Sequence, residues 1–372
     1  MTASIPDALV GAVRKGHELN TERLSLFLSE SMDIALPLAL QQFNVGQSNP
    51  TYLVTDSGGR RFVLRKKPAG QLLSKTAHAV EREFRVLRAL AGSGVPVPRV
   101  YALCEDAGVV GTPFYLMEYL EGRVLSDVRL RSVPAGERPR YWRALVDVLS
   151  TLHGVDVDAV GLAGFGRREK YYERQLRSLT RVSEAQGALP GVGALRRVGE
   201  LQRWFERRGC EDETTLVHGD FKMDNVVWHP REPRIIGVLD WELSTLGNPR
   251  SDLANLLQPL LVPYAVNFEH EGVLQGLKDA PAEENVVGEE ELLKRYCMNM
   301  GRKYPLDGWE YAKVFGLFRN AVIQQGVQAR VVKGQASSAF AHLVGKVFPR
   351  TMDMAMAVVD RIEAQSRRRS KL

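Results

Sequence analysis

The stretch Leu216-Val217-His218-Gly219-Asp220-Phe221-Lys222-Met223-Asp224-Asn225-Val226-Val227 continues, after a short turn, as Ile235-Ile236-Gly237-Val238-Leu239-Asp240-Trp241-Glu242. An apolar pair leads into a polar loop that carries Asp220 and, five residues on, Asn225. A second apolar run delivers another acid, Asp240, twenty residues after the first. Phosphoryl transfer from ATP needs this inventory. One carboxylate orients the attacking hydroxyl and accepts its proton, while an amide oxygen and a second carboxylate hold Mg²⁺ against the phosphates.

The spacing is that of the protein-kinase catalytic loop and the strand pair ending in a metal-binding Asp. Here His-Gly-Asp stands for His-Arg-Asp, and Asp-Trp-Glu for Asp-Phe-Gly. HGDFKMDN (218–225), LDWELSTLGNPRSDLA (239–254) and GQSNPTYLVT (46–55) resemble the aminoglycoside phosphotransferase / choline kinase family of small-molecule kinases. They look most like the branch found as the N-terminal kinase-like domain of some acyl-CoA dehydrogenase family proteins. The resemblance covers roughly residues 20–365 and implies a protein-kinase-like, two-lobed α+β fold. Residues 1–37 would form an N-terminal extension with a helix. An antiparallel-sheet ATP-binding lobe would take 38–118, a mostly helical lobe 119–365, and a flexible tail 366–372. Carried over position by position, the resemblance implies Asp220 as catalytic base and Lys222 beside the γ-phosphate. It implies Asn225 and Asp240 as Mg²⁺ ligands, with Glu242 as a further candidate. His218 and Asp252 would support the catalytic loop.

The nucleotide side reads in order along the first third. Phe43 to Val54 is strand, polar turn, strand. Protein kinases use glycines in this turn, but here only Gly46 is present, so Ser48 and Asn49 are expected to supply donors to the phosphates. Arg61 to Pro68 holds the third strand. Strand alternation puts Phe62, Leu64 and Lys66 on one face and Val63 and Arg65 on the other. Arg65 takes the phosphate-binding position, with Lys66 as the alternative. Val80, Phe84, Leu87 and Leu90 recur at helical spacing. This helix would supply the glutamate that pairs with the cation: Glu83 in the family register, Glu81 otherwise. Phe114 to Gly122 reads as the last strand and hinge, with backbone groups of Glu118 and Leu120 toward adenine and Met117 behind it.

Composition is that of an ordinary globular chain: 372 residues, 44% hydrophobic and 25% charged, with a net charge of +6. Cys104, Cys210 and Cys297 are far apart and form no CxxC pair, so neither a disulfide framework nor a zinc site is expected. No run is long and apolar enough to cross a bilayer. Two charged clusters point in opposite directions. A basic one, Arg167 to Arg181, interleaved with Tyr171 and Tyr172, suits an anionic acceptor, or is a solvated helix face. An acid-rich one, residues 267–291, resembles the acidic helices that bind cationic aminoglycosides in drug-modifying relatives. The terminal Ser370-Lys371-Leu372 matches the peroxisomal import address, which implies an import receptor as partner. The location would be the peroxisome, the glycosome in a kinetoplastid, or the cytoplasm in a source lacking both. Nucleic-acid and membrane partners are not expected. The expectation is an ATP- and Mg²⁺-dependent phosphotransferase acting on a small-molecule hydroxyl, best a hydroxyacyl-CoA or hydroxy acid. The alternatives are an aminoglycoside- or choline-type kinase and a catalytically inactive nucleotide-binding module.

Overall fold

The computed structural model describes residues 10–44, 49–68, 79–264, 275–336 and 341–369. Gly46 and Ser48, the acids Glu269 and Glu271, and the tripeptide Ser370-Lys371-Leu372 lie outside the described residues. The chain packs as two compact units. The first takes residues 1–126, 155–164 and 218–244; the second takes 127–154, 165–217 and 245–372. This departs from the division expected at residue 118. The catalytic stretch belongs with the β-sheet unit rather than with the helices.

A six-stranded antiparallel sheet forms the first unit, in the order β1-β2-β3-β4-β6-β5. Its strands are β1 (Val10–Gly11), β2 (Ala39–Phe43), β3 (Thr51–Thr55), β4 (Arg61–Lys66), β5 (Val100–Cys104) and β6 (Phe114–Glu118). One face buries Tyr52, Val54, Phe62, Leu64, Phe114 and Leu116 against helix α1 (Thr21–Ser31), which supplies Leu24 and Leu28. Helix α1 is capped by Asn20, whose Oδ1 accepts from Arg23 N at 2.9 Å. The residues just before it are tied to the sheet, since Tyr52 Oη donates to the His17 carbonyl at 2.8 Å.

The other face follows from alternation: Val63 and Arg65 on β4, and Tyr115 and Met117 on β6, must point away from that core. Helix α2 (Val80–Leu90) buries Val80, Glu83, Val86, Leu87 and Leu90. Its buried stripe therefore runs through Glu83, whereas Phe84 is only half-buried. A short ribbon of β7 (Val226–Trp228) and β8 (Ile235–Val238) completes the unit. Residues 119–126 run along it: Arg123 and Trp228 exchange backbone hydrogen bonds of 2.8 and 2.7 Å. Gly122 and Gly237 are small for a reason. A Cβ on Gly122 would sit 2.4 Å from the Trp228 carbonyl, and one on Gly237 would sit 2.1 Å from Leu120 Cδ1.

The second unit is helical. Its longest helix, Trp309–Val332, is buried on nearly every side, as a helix with apolar residues all round must be. Other helices include Arg138–His153, Tyr171–Gly187, Arg250–Leu257 and Phe348–Arg369. No helix among the described residues is long and apolar enough to cross a membrane.

Candidate active site

The loop from His218 to Asn225 is built around an imidazole. His218 is fully buried, with the rings of Trp241 and Phe221 at centroid distances of 4.6 and 5.9 Å. Its Nε2–H donates to the Leu239 carbonyl at 2.8 Å, and its Nδ1 accepts the Asp220 backbone N–H at 3.2 Å. One neutral tautomer satisfies both contacts, so the ring ties the Asp220 loop to the chain that delivers Asp240. Gly219 between them has φ +85°, and a Cβ there would lie 2.5 Å from the Leu243 carbonyl.

Asn225 closes the loop. Its Nδ2 donates to the Asp220 carbonyl at 2.9 Å and to Asp220 Oδ2 at 3.1 Å. Val226 pairs with Val238 across the ribbon, and Leu239 N donates to the Asn225 carbonyl at 2.8 Å. Antiparallel register therefore brings Asn225 and Asp240 to the same end. Asp240 adopts φ 66°, ψ 59°, a left-handed conformation uncommon outside glycine and recurrent at functional sites. Lys222 Nζ lies 3.3 Å from Asp220 Oδ2 and 3.5 Å from Asp224 Oδ2. Partial burial would lower its pKa, but the two carboxylates outweigh that and hold it above the ordinary lysine value, so it stays charged.

Arg65 reaches this group from the sheet. Its Nη2 donates to Asp240 Oδ1 at 2.6 Å, its Nε lies 3.2 Å from Glu83 Oε2, and Nη2 is 3.8 Å from Glu242. Desolvation opposes its charge, but Glu83, Tyr115 and Asp240 hold its pKa well above the ordinary arginine value. The neighbouring Lys66 is turned to the opposite face, where Nζ donates to the Val110 carbonyl at 2.7 Å. Glu83 faces Arg65, while Glu81 pairs with Lys67. Of the two pairs left open by the sequence, the structure brings together Arg65 and Glu83.

Two of the nucleotide-side residues already have partners within the sheet unit. Asn49 is buried, and its Nδ2 donates to Glu83 Oε1 at 3.0 Å. Its side chain thus braces a carboxylate of the same unit. The Glu118 N–H is likewise taken, by the Arg99 carbonyl at 2.7 Å. A hinge contact from Glu118 is thereby narrowed to its carbonyl. Met117 is buried on β6 between Val63 and Val100, and Leu120 packs on Gly237 of β8, the strand that leads to Asp240. Asp252 lies in the second unit, buried 3.5 Å from His153 Nε2. Sequence reading missed Tyr115. An aromatic in a strand carries no periodic mark of the carboxylate it will meet, although its position two residues before Met117 put both on one face.

Among the described residues no group of three or more His, Cys, Asp or Glu is placed to hold a metal unaided. Asp240 and Glu242, with the amide of Asn225, instead offer a few hard oxygens. That donor set fits Mg²⁺, which is commonly bound through one or two carboxylates plus phosphate oxygens and water.

Both charged clusters lie in the second unit. Glu284 pairs with Arg138, Glu289 with Lys313, Glu290 with Lys294 and Glu291 with Arg143. The helix Tyr171–Gly187 leaves Arg177 and Arg181 exposed. Arg177 lines a groove of about 700 Å³ with Lys170, Tyr172, Phe205, Cys210 and Tyr311.

Comparison with known proteins places the chain in a family. The family model described as "Phosphotransferase enzyme family" matches residues 39–283. Acyl-CoA dehydrogenase family member 10 of Mus musculus is 41% identical over 321 residues, covering 86% of this chain and 29% of the relative. Probable acyl-CoA dehydrogenase IBR3 of Arabidopsis thaliana is 39% identical over 344 residues, covering 89% and 41% respectively. The chain thus spans less than half the length of either. A crystal structure from Ralstonia eutropha, named as a candidate aminoglycoside phosphotransferase, superposes with a TM-score of 0.79 at 34% identity, covering 92% of this chain and 99% of that one. An aminoglycoside phosphotransferase in complex with ADP and hygromycin B has a TM-score of 0.57 at 17% identity, over 90% of this chain and 97% of that one. That likeness concerns the fold alone, which is kinase-like and α+β.

Proposed function

Because this chain belongs to the phosphotransferase enzyme family, we propose that it moves the γ-phosphoryl group of ATP onto a hydroxyl of a small anionic acceptor, best a hydroxyacyl-CoA or hydroxy acid. The observation that carries the proposal is a convergence. Asp220, Asn225 and Asp240 are tied by hydrogen bonds and strand register into one loop pair, and Arg65, held by Glu83, reaches Asp240 at 2.6 Å.

Mg·ATP, when bound, supplies the phosphoryl group and the positive charge that neutralises its transfer. Asp220 orients the acceptor hydroxyl and takes its proton as the new bond forms. Lys222 sits beside that carboxylate and offers a cation to the phosphoryl oxygens. Asn225 and Asp240, with Glu242 beside them, would hold the metal, and Arg65 would neutralise phosphate charge with a guanidinium that never loses its proton. His218 acts through the loop rather than on the reacting atoms.

Two observations support the acceptor class. The relatives at 41% and 39% identity are named as acyl-CoA dehydrogenases. In the second unit Glu284, Glu289, Glu290 and Glu291 each pair with a basic side chain, and Arg177 and Arg181 stand exposed on the helix Tyr171–Gly187, which supports an anionic acceptor. The test is ADP release in a screen of hydroxyacyl-CoAs, hydroxy acids, choline and aminoglycosides. Turnover is expected with an acidic acceptor, and Arg177→Glu should raise its KM several-fold with little change in KM for ATP. Efficient phosphorylation of an aminoglycoside, with no turnover of any hydroxy acid or its CoA ester, would overturn the acceptor assignment.

A further inference from the structure

We propose that Tyr115 and Asn49 are positioning residues that clamp the Glu83 carboxylate, so that Glu83 holds Arg65 where a nucleotide's phosphates need it. The proposal rests on the nucleotide reading above and adds two residues that touch no phosphate themselves.

Glu83 is 1% exposed and meets three partners from three parts of the sheet. Asn49, just before β3, donates through Nδ2 to Oε1 at 3.0 Å. Tyr115, on β6, donates through Oη to Oε2 at 3.0 Å. Arg65, on β4, faces Oε2 at 3.2 Å. The Asn49 amide has one workable orientation, because the flipped form would set its oxygen against the carboxylate. Burial and the nearby Glu83 hold the Tyr115 hydroxyl well above its ordinary pKa, so it keeps its proton and remains a donor.

The clamp answers a specific problem. Arg65 has three acids within 4 Å, and the pull of Asp240 at 2.6 Å is the closest. A glutamate held by that arginine alone could rotate about its side-chain torsions and let the guanidinium follow Asp240. Donors on both carboxylate oxygens fix its plane. They also oppose the cost of burying a charge, which pushes Glu83 up to about 7 against the lowering influence of Arg65 and Tyr115. The groups facing Glu83 are Arg65, Tyr115, Asn49, Asp240 and Glu242. Of the neutral donors, Asn49 lies just before β3, so it ties the start of that strand to α2.

The experiment titrates a fluorescent ATP analogue, with excess Mg²⁺, into wild type, Tyr115→Phe and Asn49→Ser. Kd should rise about three- to tenfold in each variant, less than the full worth of a charge-assisted hydrogen bond because the clamp reaches the nucleotide only through Arg65. In steady state the change should fall on KM for ATP, with KM for the acceptor unmoved. For Tyr115→Phe the defect should be larger at about pH 6.5 than at about pH 8.5, because a carboxylate that has lost a donor is easier to protonate. A packing defect would lower the unfolding temperature without that pH grading. Tyr115→Phe removes one oxygen and keeps the ring, so it decides between clamp and packing even if Asn49→Ser folds poorly. A wild-type chain that binds no Mg·ATP would overturn the nucleotide reading and the clamp with it. Wild-type binding with both variants within about twofold at both pH values would overturn the clamp alone.

Discussion

Arg65 and Lys66 are adjacent and both cationic, yet alternation along β4 sends one to Glu83 and Asp240 and the other to a backbone carbonyl beneath the sheet. Their substitutions should separate cleanly. Arg65→Ala should raise KM for ATP by about tenfold or more, whereas Lys66→Met should leave it within about twofold. Burial already lowers the Lys66 pKa, so an apolar chain of similar length should be tolerated there. Asp220 is the third test at this scale. Asp220→Asn keeps the shape and the hydrogen bond to Asn225 but removes the proton acceptor. It should lower kcat by roughly 10²–10⁴-fold, with Mg·ATP affinity little changed. Parallel measurement of kcat and nucleotide Kd checks it; unchanged turnover would remove Asp220 from its role.

The loop and helix elements carry different constraints. In the 218–225 loop the limiting position is Gly219, where a side chain would need both a left-handed backbone and the space filled by the Leu243 carbonyl. The first alone costs about 1–2 kcal/mol, so Gly219→Ala should destabilise by about 2 kcal/mol or more, read from the urea midpoint at constant m. Helix α2 carries the pH dependence. With Glu83 raised to about 7 by burial, the folded chain binds a proton that the unfolded chain has already released between the usual carboxylate range and about pH 7. Stability from this group therefore falls as pH rises through that window. Function runs the other way, since an ionised Glu83 is what grips Arg65. Nucleotide affinity should rise through the same window and level off above it. Glu83→Gln should flatten that slope, leaving only the nucleotide's own titration.

For the whole molecule, the grouping of residues 218–244 with the sheet makes a prediction about where a ligand is felt. Mg·ATP at about 100 times its Kd should stabilise the chain by about 2.7 kcal/mol. Hydrogen exchange should show the added protection in β4, α2, β6 and the 218–244 segment. Protection gained mainly in the helix Trp309–Val332 would place the nucleotide elsewhere.

The sequence by itself determined the catalytic pattern, because strands and loops are local. Spacing from Asp220 to Asn225, an apolar run ending at Asp240 and strict alternation along β4 are properties of consecutive residues, and strand geometry converts them directly into side-chain direction. Helix α2 was visible in the same way, although its buried stripe passes through Glu83 where an apolar count favoured Phe84. Only the tertiary structure decided which glutamate meets Arg65, that Asn49 serves that glutamate, that Tyr115 joins it, and that the catalytic segment packs with the sheet. Those facts depend on contacts 32 and 34 residues apart for Glu83, and 175 apart for Arg65 and Asp240. A buried carboxylate draws whatever donors the fold brings near it, and no one-dimensional period records which these will be.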